Sequence, residues 1–198
     1  MMTKDELLAP LAALRGDAIV VTTMGSVRSW AQHSSSELDF ASADSAMGHA
    51  ADLALGIALA QPERKVVCLN GDGSMLMSLG TLVTIVESGA RNLVLFVLEN
   101  RTFEITGNQP VPGAGKVDFA AIARGAGFER VLKLDFAEDC PRVIAEALAG
   151  PGPVMVVARV APGNDGPLKR GPAEKESYLK PSLAESARAM RRVLSGSS

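Results

Sequence analysis

Asp72 and Asn100 are the residues whose type and placement could do chemistry together. Asp72 stands between Gly71 and Gly73 in "LNGDGS" (69–74), directly after the apolar run "KVVCLN" (65–70). Asn100 closes the apolar run "NLVLFVLEN" (92–100) in the same way. One helix-like stretch fills the interval, so the two runs read as consecutive parallel strands. That step brings both side chains to one edge of a sheet, and α/β sheets bind ligands beyond the carboxyl ends of their strands. A carboxylate oxygen and an amide oxygen meeting there suit one hard cation. Magnesium takes oxygen donors in an octahedron and commonly shares them with substrate phosphates. The glycines admit close approach to the backbone, and a helix starting near Ser74 would aim free N–H groups at an anionic phosphate.

Other glycine-loop chemistries fit less well. "GDGSML" (71–76) lacks the third glycine of a dinucleotide fingerprint. "PVPGAGKV" (110–117) carries Pro110 where a P-loop needs Gly and Val117 where it needs Ser or Thr.

The elements that must hold this pair can be read along the chain. Thr3 and Glu6 form a capping box that opens a first helix, with Pro10 interrupting it. "AIVVTT" (18–23) reads as a buried strand ending at Met24-Gly25, and residues 26–45 read as polar and irregular. Residues 46–60, rich in Ala and Leu, read as helix, 65–70 as strand, 74–88 as helix and 92–98 as strand. Residues 101–116 read as a loop. A helix over 117–127 has Asp118 as its N-cap, 130–134 is a short strand, and a helix over 138–150 has Pro141 in its first turn. Residues 153–160 form the last strand, and 182–194 suit a terminal helix packed on the body or on a partner. Strands that are apolar throughout, alternating with helices, predict a doubly wound, mainly parallel α/β sheet with helices on both faces. Residues 1–161 form the domain and 162–198 a tail. Helices 46–60 and 74–88 are apolar around most of their circumference, which predicts a subunit interface.

Composition excludes several classes. The 198 residues are 47% hydrophobic and carry a net charge of −2 without a basic run, which argues against nucleic acid and anionic membrane as partners. No apolar stretch is long enough to span a bilayer, and residues 1–17 do not read as a signal peptide. Cys68 and Cys140 have no CxxC companions and read as buried thiols of a cytoplasmic protein.

"GDGS" (71–74) followed by "LENRTF" (98–103) resembles the G-D-G…N-N signature of thiamine diphosphate enzymes. "DSAMGHAADLALGIALA" (44–60) is similar to the G-S-M-G-H stretch of their diphosphate-binding (PP) domain. "TGNQP" (106–110) narrows the likeness to the sulfopyruvate and phosphonopyruvate decarboxylases. The resemblance implies a PP domain binding thiamine diphosphate and Mg²⁺. Asp72 and Asn100 would ligate the metal through side chains and Thr102 through its carbonyl. Gly71, Gly73 and Ser74, with Gly25 and Ser26 after the first strand, would contact the diphosphate. Met47, next to Gly48, would wedge the cofactor into a bent shape, and the carbonyl of Ser45 would receive its 4′-amino group. Glu99 stands where the first Asn of the family's pair is usual, and Ser45 replaces a Gly.

These enzymes also need a glutamate from a pyrimidine-binding (PYR) domain, for which this chain has no room. The resemblance therefore implies a β-like subunit of a heteromer, completed by a separate PYR-domain (alpha) subunit. The implied reaction is decarboxylation of a small anionic 2-oxo acid, sulfopyruvate first and phosphonopyruvate second. An acetolactate- or acyloin-type ligase subunit and a non-catalytic cofactor-binding subunit stay open.

His49 could face substrate as an acid or anion contact, or be a packing residue at a helix start; His33 reads as surface. Arg101 suits a sulfonate or phosphonate but reads better as solvated surface, and Asn108 and Gln109 read equally as part of a loop covering the cofactor or as ordinary loop polarity. Met75 and Met77 read as core.

Overall fold

The computed structural model describes residues 1–42, 47–168 and 170–196. Helix α1 (Lys4–Leu14) opens with the expected capping box, in which Thr3 and Glu6 satisfy each other's backbone N–H, and it carries Pro10 inside. Strand β1 (Ile19–Thr23) follows. Helix α2 (Met24–Ala31) and strand β2 (Asp39–Ser42) then occupy the stretch expected to be irregular. The polar composition there is misleading, because α2 buries Val27 and Trp30 together with Ser26 and Ser29. Arg15, itself buried, pairs with Asp39 and lies over the Trp30 ring at 5.7 Å, fastening the edge strand to the end of α1.

Helix α3 (Ala50–Ala60) leads to strand β3 (Val66–Gly71). The single helix expected over 74–88 is two, α4 (Asp72–Met77) and α5 (Gly80–Ser88), with the chain breaking helical geometry at Ser78. Gly48, at φ +93, faces that break. A Cβ there would stand 2.9 Å from the Met77 Cβ and 3.0 Å from the Ser78 Oγ, so the position needs glycine for both conformation and space.

Strand β4 (Leu93–Glu99) is followed by a compact loop with a two-residue ladder, β5 (Thr102–Phe103) against β6 (Gln109–Pro110). Helix α6 (Phe119–Gly125) starts at Asp118, whose side chain accepts from the Ala121 N–H as expected of an N-cap. Strand β7 (Arg130–Leu134), helix α7 (Cys140–Leu148) and strand β8 (Val154–Arg159) complete the body, and helix α8 (Leu183–Ser195) closes it.

The six long strands form one parallel sheet in the order β2-β1-β3-β4-β8-β7. Alternate residues feed two cores. Ile19, Val21, Cys68, Leu95 and Met155 pack with α3, α5 and α6, while Val20, Val67, Phe96 and Val156 pack with α1, α2 and α7. Both faces being covered explains why these strands read as continuous apolar runs.

The segment after β8 returns across the β2 edge. Leu179 is fully buried, the Tyr178 hydroxyl donates to the Val27 carbonyl at 2.5 Å, and Arg170 donates to the Ala41 carbonyl at 2.6 Å. Met190 of α8 is buried in the core, so the terminal helix packs on the body. Leu59, Met77 and Val83 remain exposed on the helices of that same face. Among the described residues no helix is long and apolar enough to cross a membrane.

Candidate functional site

The strand order reverses between β1 and β3, the position where open α/β sheets leave a crevice. A cavity of about 320 Å³ lies there, at the carboxyl ends of β1, β3 and β4. The end of β1 contributes Thr23, Met24 and Gly25, and the β3–α4 turn contributes Gly71, Asp72, Gly73 and Ser74. Asn100 and Thr102 come from the loop after β4, and Met47 and Met77 complete the rim.

The carboxylate of Asp72 is almost completely buried. Its Oδ1 accepts from the Gly73 N–H at 2.8 Å and its Oδ2 from the Arg101 N–H at 2.6 Å. Among the described residues no basic side chain forms an ion pair with it. Burial pushes its pKa up to about 6 against the opposing pull of the Arg101 and Gly73 N–H groups, and the nearby Glu99 adds to the rise. Asn100 is fixed at both ends of its amide, Oδ1 accepting from the Thr102 N–H at 3.0 Å and Nδ2 donating to Glu104 Oε2 at 2.9 Å.

Three observations bear on what such a cavity can hold. The Ser74 hydroxyl is buried without any hydrogen-bond partner, a costly state that a phosphate oxygen would relieve. Gly25 and Gly71 face open space on the cavity wall, so a side chain at either would fill the crevice. Among the described residues the buried Asp72 carboxylate is partnered by backbone N–H groups alone. The donor set of one carboxylate and one amide is oxygen-rich and thiol-free, which fits magnesium completed by phosphate oxygens and water. The described residues contain no cluster of three or more His, Cys, Asp or Glu for an all-protein metal cage. Asp72, Asn100 and Thr102 could therefore hold a metal only jointly with its ligand.

Placement of the remaining candidates is uneven. Gly25, Met47, Gly71, Gly73 and Ser74 line the cavity. Ser26 sits behind it, its hydroxyl bonded to the carbonyls of Thr23 at 2.8 Å and Leu69 at 3.1 Å, where it ties β1 to β3. Gly48 supports the wall through its contact with α4. Ser45 lies outside the described residues. His49 is half-exposed outside the cavity lining, with Nδ1 2.5 Å from Asp52 Oδ2, and the Thr81 hydroxyl donates to the other Asp52 oxygen at 2.5 Å. Arg101, in the left-handed region at φ +66, turns its guanidinium toward Glu99 at 3.4 Å rather than into the cavity. Asn108 closes the loop by accepting from the Thr102 hydroxyl at 2.9 Å and donating to the Gly163 carbonyl at 3.0 Å.

The sequence reading missed Phe103, Glu104, Ile105 and Thr106, all on the cavity wall, and with them Lys4. Lys4 Nζ reaches Glu104 Oε1 at 2.6 Å and the Gly25 carbonyl at 2.8 Å. Nothing in the local pattern signals a lysine in the first turn of a capped helix as buried. The position of Glu104, four residues beyond Asn100 in the same loop, was the only available hint.

The family described as "Thiamine pyrophosphate enzyme, C-terminal TPP binding domain" matches residues 23–158. The chain is 43% identical over 118 residues to the sulfopyruvate decarboxylase subunit beta of Methanothermobacter thermautotrophicus, covering 60% of each chain. It is 39% identical over 155 residues to a phosphonopyruvate decarboxylase of Streptomyces viridochromogenes, covering 78% of this chain and 38% of that one. The thiamine diphosphate-dependent 4-hydroxybenzoylformate decarboxylase of Rhodococcus jostii RHA1 shares the fold, with a TM-score of 0.68 at 23% identity over 82% of this chain and 33% of that one. The chain thus spans less than two thirds of the length of these relatives. With its parallel sheet, its crevice at the β1–β3 reversal and the family match running from the end of β1 to the end of β8, the chain belongs to the thiamine pyrophosphate enzymes, as a C-terminal TPP-binding domain.

Proposed function

We propose that this chain is the PP-domain subunit of a heteromeric, magnesium-dependent decarboxylase acting on a small anionic 2-oxo acid, with sulfopyruvate as the substrate. The observation that carries the reading is one crevice lined by the buried Asp72 carboxylate and the oriented, half-buried Asn100 amide, beside a Ser74 hydroxyl without a partner among the described residues. The 43% identical relative is named as a beta subunit, which supports a division of the site between two chains.

In this reading Asp72 and Asn100, with the carbonyl of Thr102, would hold Mg²⁺, which when bound would supply positive charge for the diphosphate. Ser74 would donate to a phosphate oxygen, Gly71 and Gly25 would let the group lie against backbone, and Gly73, whose missing Cβ makes room for the Phe103 ring, would contact it from the turn. Met47 would support the bend of the cofactor, with Gly48 packed against α4; the Ser45 carbonyl, to which the resemblance gives the 4′-amino group, lies outside the described residues. Ser26 acts indirectly, by fixing the turn after β1. Thiamine diphosphate supplies, when bound, the electron sink that decarboxylation of a 2-oxo acid requires. The apolar wall around Met24, Phe103 and Ile105 excludes water from the reacting carbon. His49, half-exposed and held by Asp52, which Thr81 holds in turn, would contact substrate as the reading of the sequence has it. The activating glutamate comes from a PYR-domain alpha subunit docked on the exposed Leu59, Met77 and Val83. Two buried, unpaired thiols suit a cytoplasmic location.

A second substrate, phosphonopyruvate, is favoured by the longer match to the Streptomyces relative, and its tail has the same anionic character. Carbon dioxide release from sulfopyruvate, phosphonopyruvate and pyruvate, by the full chain with and without a co-expressed partner, tests the reading. The expected result is silence alone and turnover in the complex, abolished by Asp72→Ala. Turnover by the chain alone would overturn the divided site, and an active Asp72→Ala complex would overturn the metal site.

A further inference from the structure

Asn100 poses a choice that its own side chain does not resolve. The two ends of an amide are nearly the same size, but only the oxygen can ligate a cation. In the structure the choice is made by Glu104. Its Oε2 is an acceptor 2.9 Å from Asn100 Nδ2, while the Thr102 N–H donates to Asn100 Oδ1 at 3.0 Å. Turning the amide over would set its oxygen against a carboxylate and its NH₂ against an N–H, two repulsive contacts in place of two bonds.

Glu104 can impose that orientation only if it stays charged and still. Lys4 Nζ lies 2.6 Å from Oε1 with both side chains buried, and the Gly163 N–H donates to Oε2 at 3.0 Å. Gly163 closes the arrangement sterically as well, since a Cβ there would lie 2.6 Å from Oε1. Both oxygens of Glu104 are engaged, so although it lines the cavity it is no free base. A buried ion pair is rarely worth its desolvation as a stabiliser, but it can fix one arrangement among several.

We propose that Glu104 is a positioning residue for the metal site, its carboxylate clamped by Lys4 and Gly163 so that Asn100 presents oxygen, and not NH₂, to the cation. This rests on the assignment of Asp72 and Asn100 as metal ligands. It adds a charged anchor from the first helix and a backbone donor from beyond β8, neither of which touches the metal.

The test uses the full chain and two readouts other than turnover. In the metal-free protein, the Asn100 side-chain amide signal is identified by its loss in Asn100→Asp. It is expected downfield, as for a proton bonded to carboxylate, and to move upfield in Glu104→Gln. An Asn100 amide signal that ignores Glu104→Gln overturns the proposal, and this readout needs no metal. The second readout is Mn²⁺ affinity by electron paramagnetic resonance, with thiamine diphosphate present. Glu104→Gln is expected to weaken it by roughly 10- to 100-fold, the usual size for an outer partner of a metal ligand.

The swap Lys4→Glu with Glu104→Lys separates positioning from scaffolding. It re-forms an ion pair and recovers part of the melting temperature lost in the single variants, but puts a donor against Asn100 Nδ2 and the Gly163 N–H, so Mn²⁺ affinity stays low. Affinity that returns together with the melting temperature would mean a scaffold only and would overturn the proposal. Asp72→Ala distinguishes the two levels of the argument: if it leaves Mn²⁺ affinity intact the metal-site assignment is wrong, whereas the amide signal still decides whether Glu104 orients Asn100.

Discussion

The Oδ2 of Asp72 accepts a 2.6 Å hydrogen bond from the backbone N–H of Arg101, joining the turn after β3 to the turn after β4. Arg101 adopts a left-handed conformation to make it, at φ +66, which costs a non-glycine residue about 1–2 kcal/mol. A charge-assisted bond to a buried carboxylate is of a size to offset that strain. The two turns that carry Asp72 and Asn100 are therefore coupled through backbone.

The elevated pKa of Asp72 gives a pH signature. Between about pH 4 and about pH 6 the folded, metal-free chain keeps a proton on Asp72 that the unfolded chain has released. Stability from this group therefore falls as pH rises through that window and stays low above it. Asp72→Asn does not titrate. Whatever the constant offset between the two proteins, the parent should lose on the order of 2–3 kcal/mol relative to Asp72→Asn from pH 4 to pH 7. Denaturant melts in chelator at three pH values read this directly, and a pH-independent difference would refute the assignment of the shift.

Gly163→Ala should destabilise through space rather than backbone conformation. The new Cβ would meet Glu104 Oε1 at 2.6 Å and Lys4 Nζ at 3.3 Å. The carboxylate cannot swing aside without breaking its bonds to Lys4 and Asn100. A loss of about 1–3 kcal/mol is expected, the range for overpacked interiors. Thermal denaturation checks it, and an unchanged midpoint would show that the loop yields freely.

Leu179→Ala tests the attachment of the returning segment. The side chain is fully buried against Val27 and Ala41. Its truncation should cost about 2–4 kcal/mol and accelerate tryptic cleavage after Lys175. Unaltered proteolysis would mean that Arg170 and Tyr178 hold the segment by themselves.

Leu59→Glu and Val83→Glu address the exposed apolar face, where the two side chains are 54% and 57% accessible. Neither touches the cavity lining. Melting of the isolated chain should change by no more than roughly 0.5 kcal/mol, while co-purification with the proposed alpha-type partner is lost. Retained co-purification would place the docking surface elsewhere.

The sheet was legible because burial on both faces writes its strands as unbroken apolar runs, and the ends of those runs located Asp72 and Asn100. Helix starts were legible where a side chain closes a local hydrogen bond, as at Thr3 and Asp118. Residues 26–45 were not, because Ser26 and Ser29 of α2 are buried polar residues and β2 has only four residues. The break after Met77 was hidden because Ser78 and Leu79 are compatible with a continuous helix, and only the approach of Gly48 makes sense of it. The Lys4–Glu104 pair spans 100 positions, and no periodicity reports a contact of that range.

Lys4, Asn100 with Glu104, and Gly163 come from the beginning, the middle and the last fifth of the chain. Each supplies a contact that the others cannot replace. During synthesis Asn100 emerges long before the N–H of Gly163 that completes its clamp. Readiness of the proposed metal site therefore belongs to the finished polypeptide, and a nascent chain that already displays Asp72 and Asn100 still lacks part of the setting that aims them.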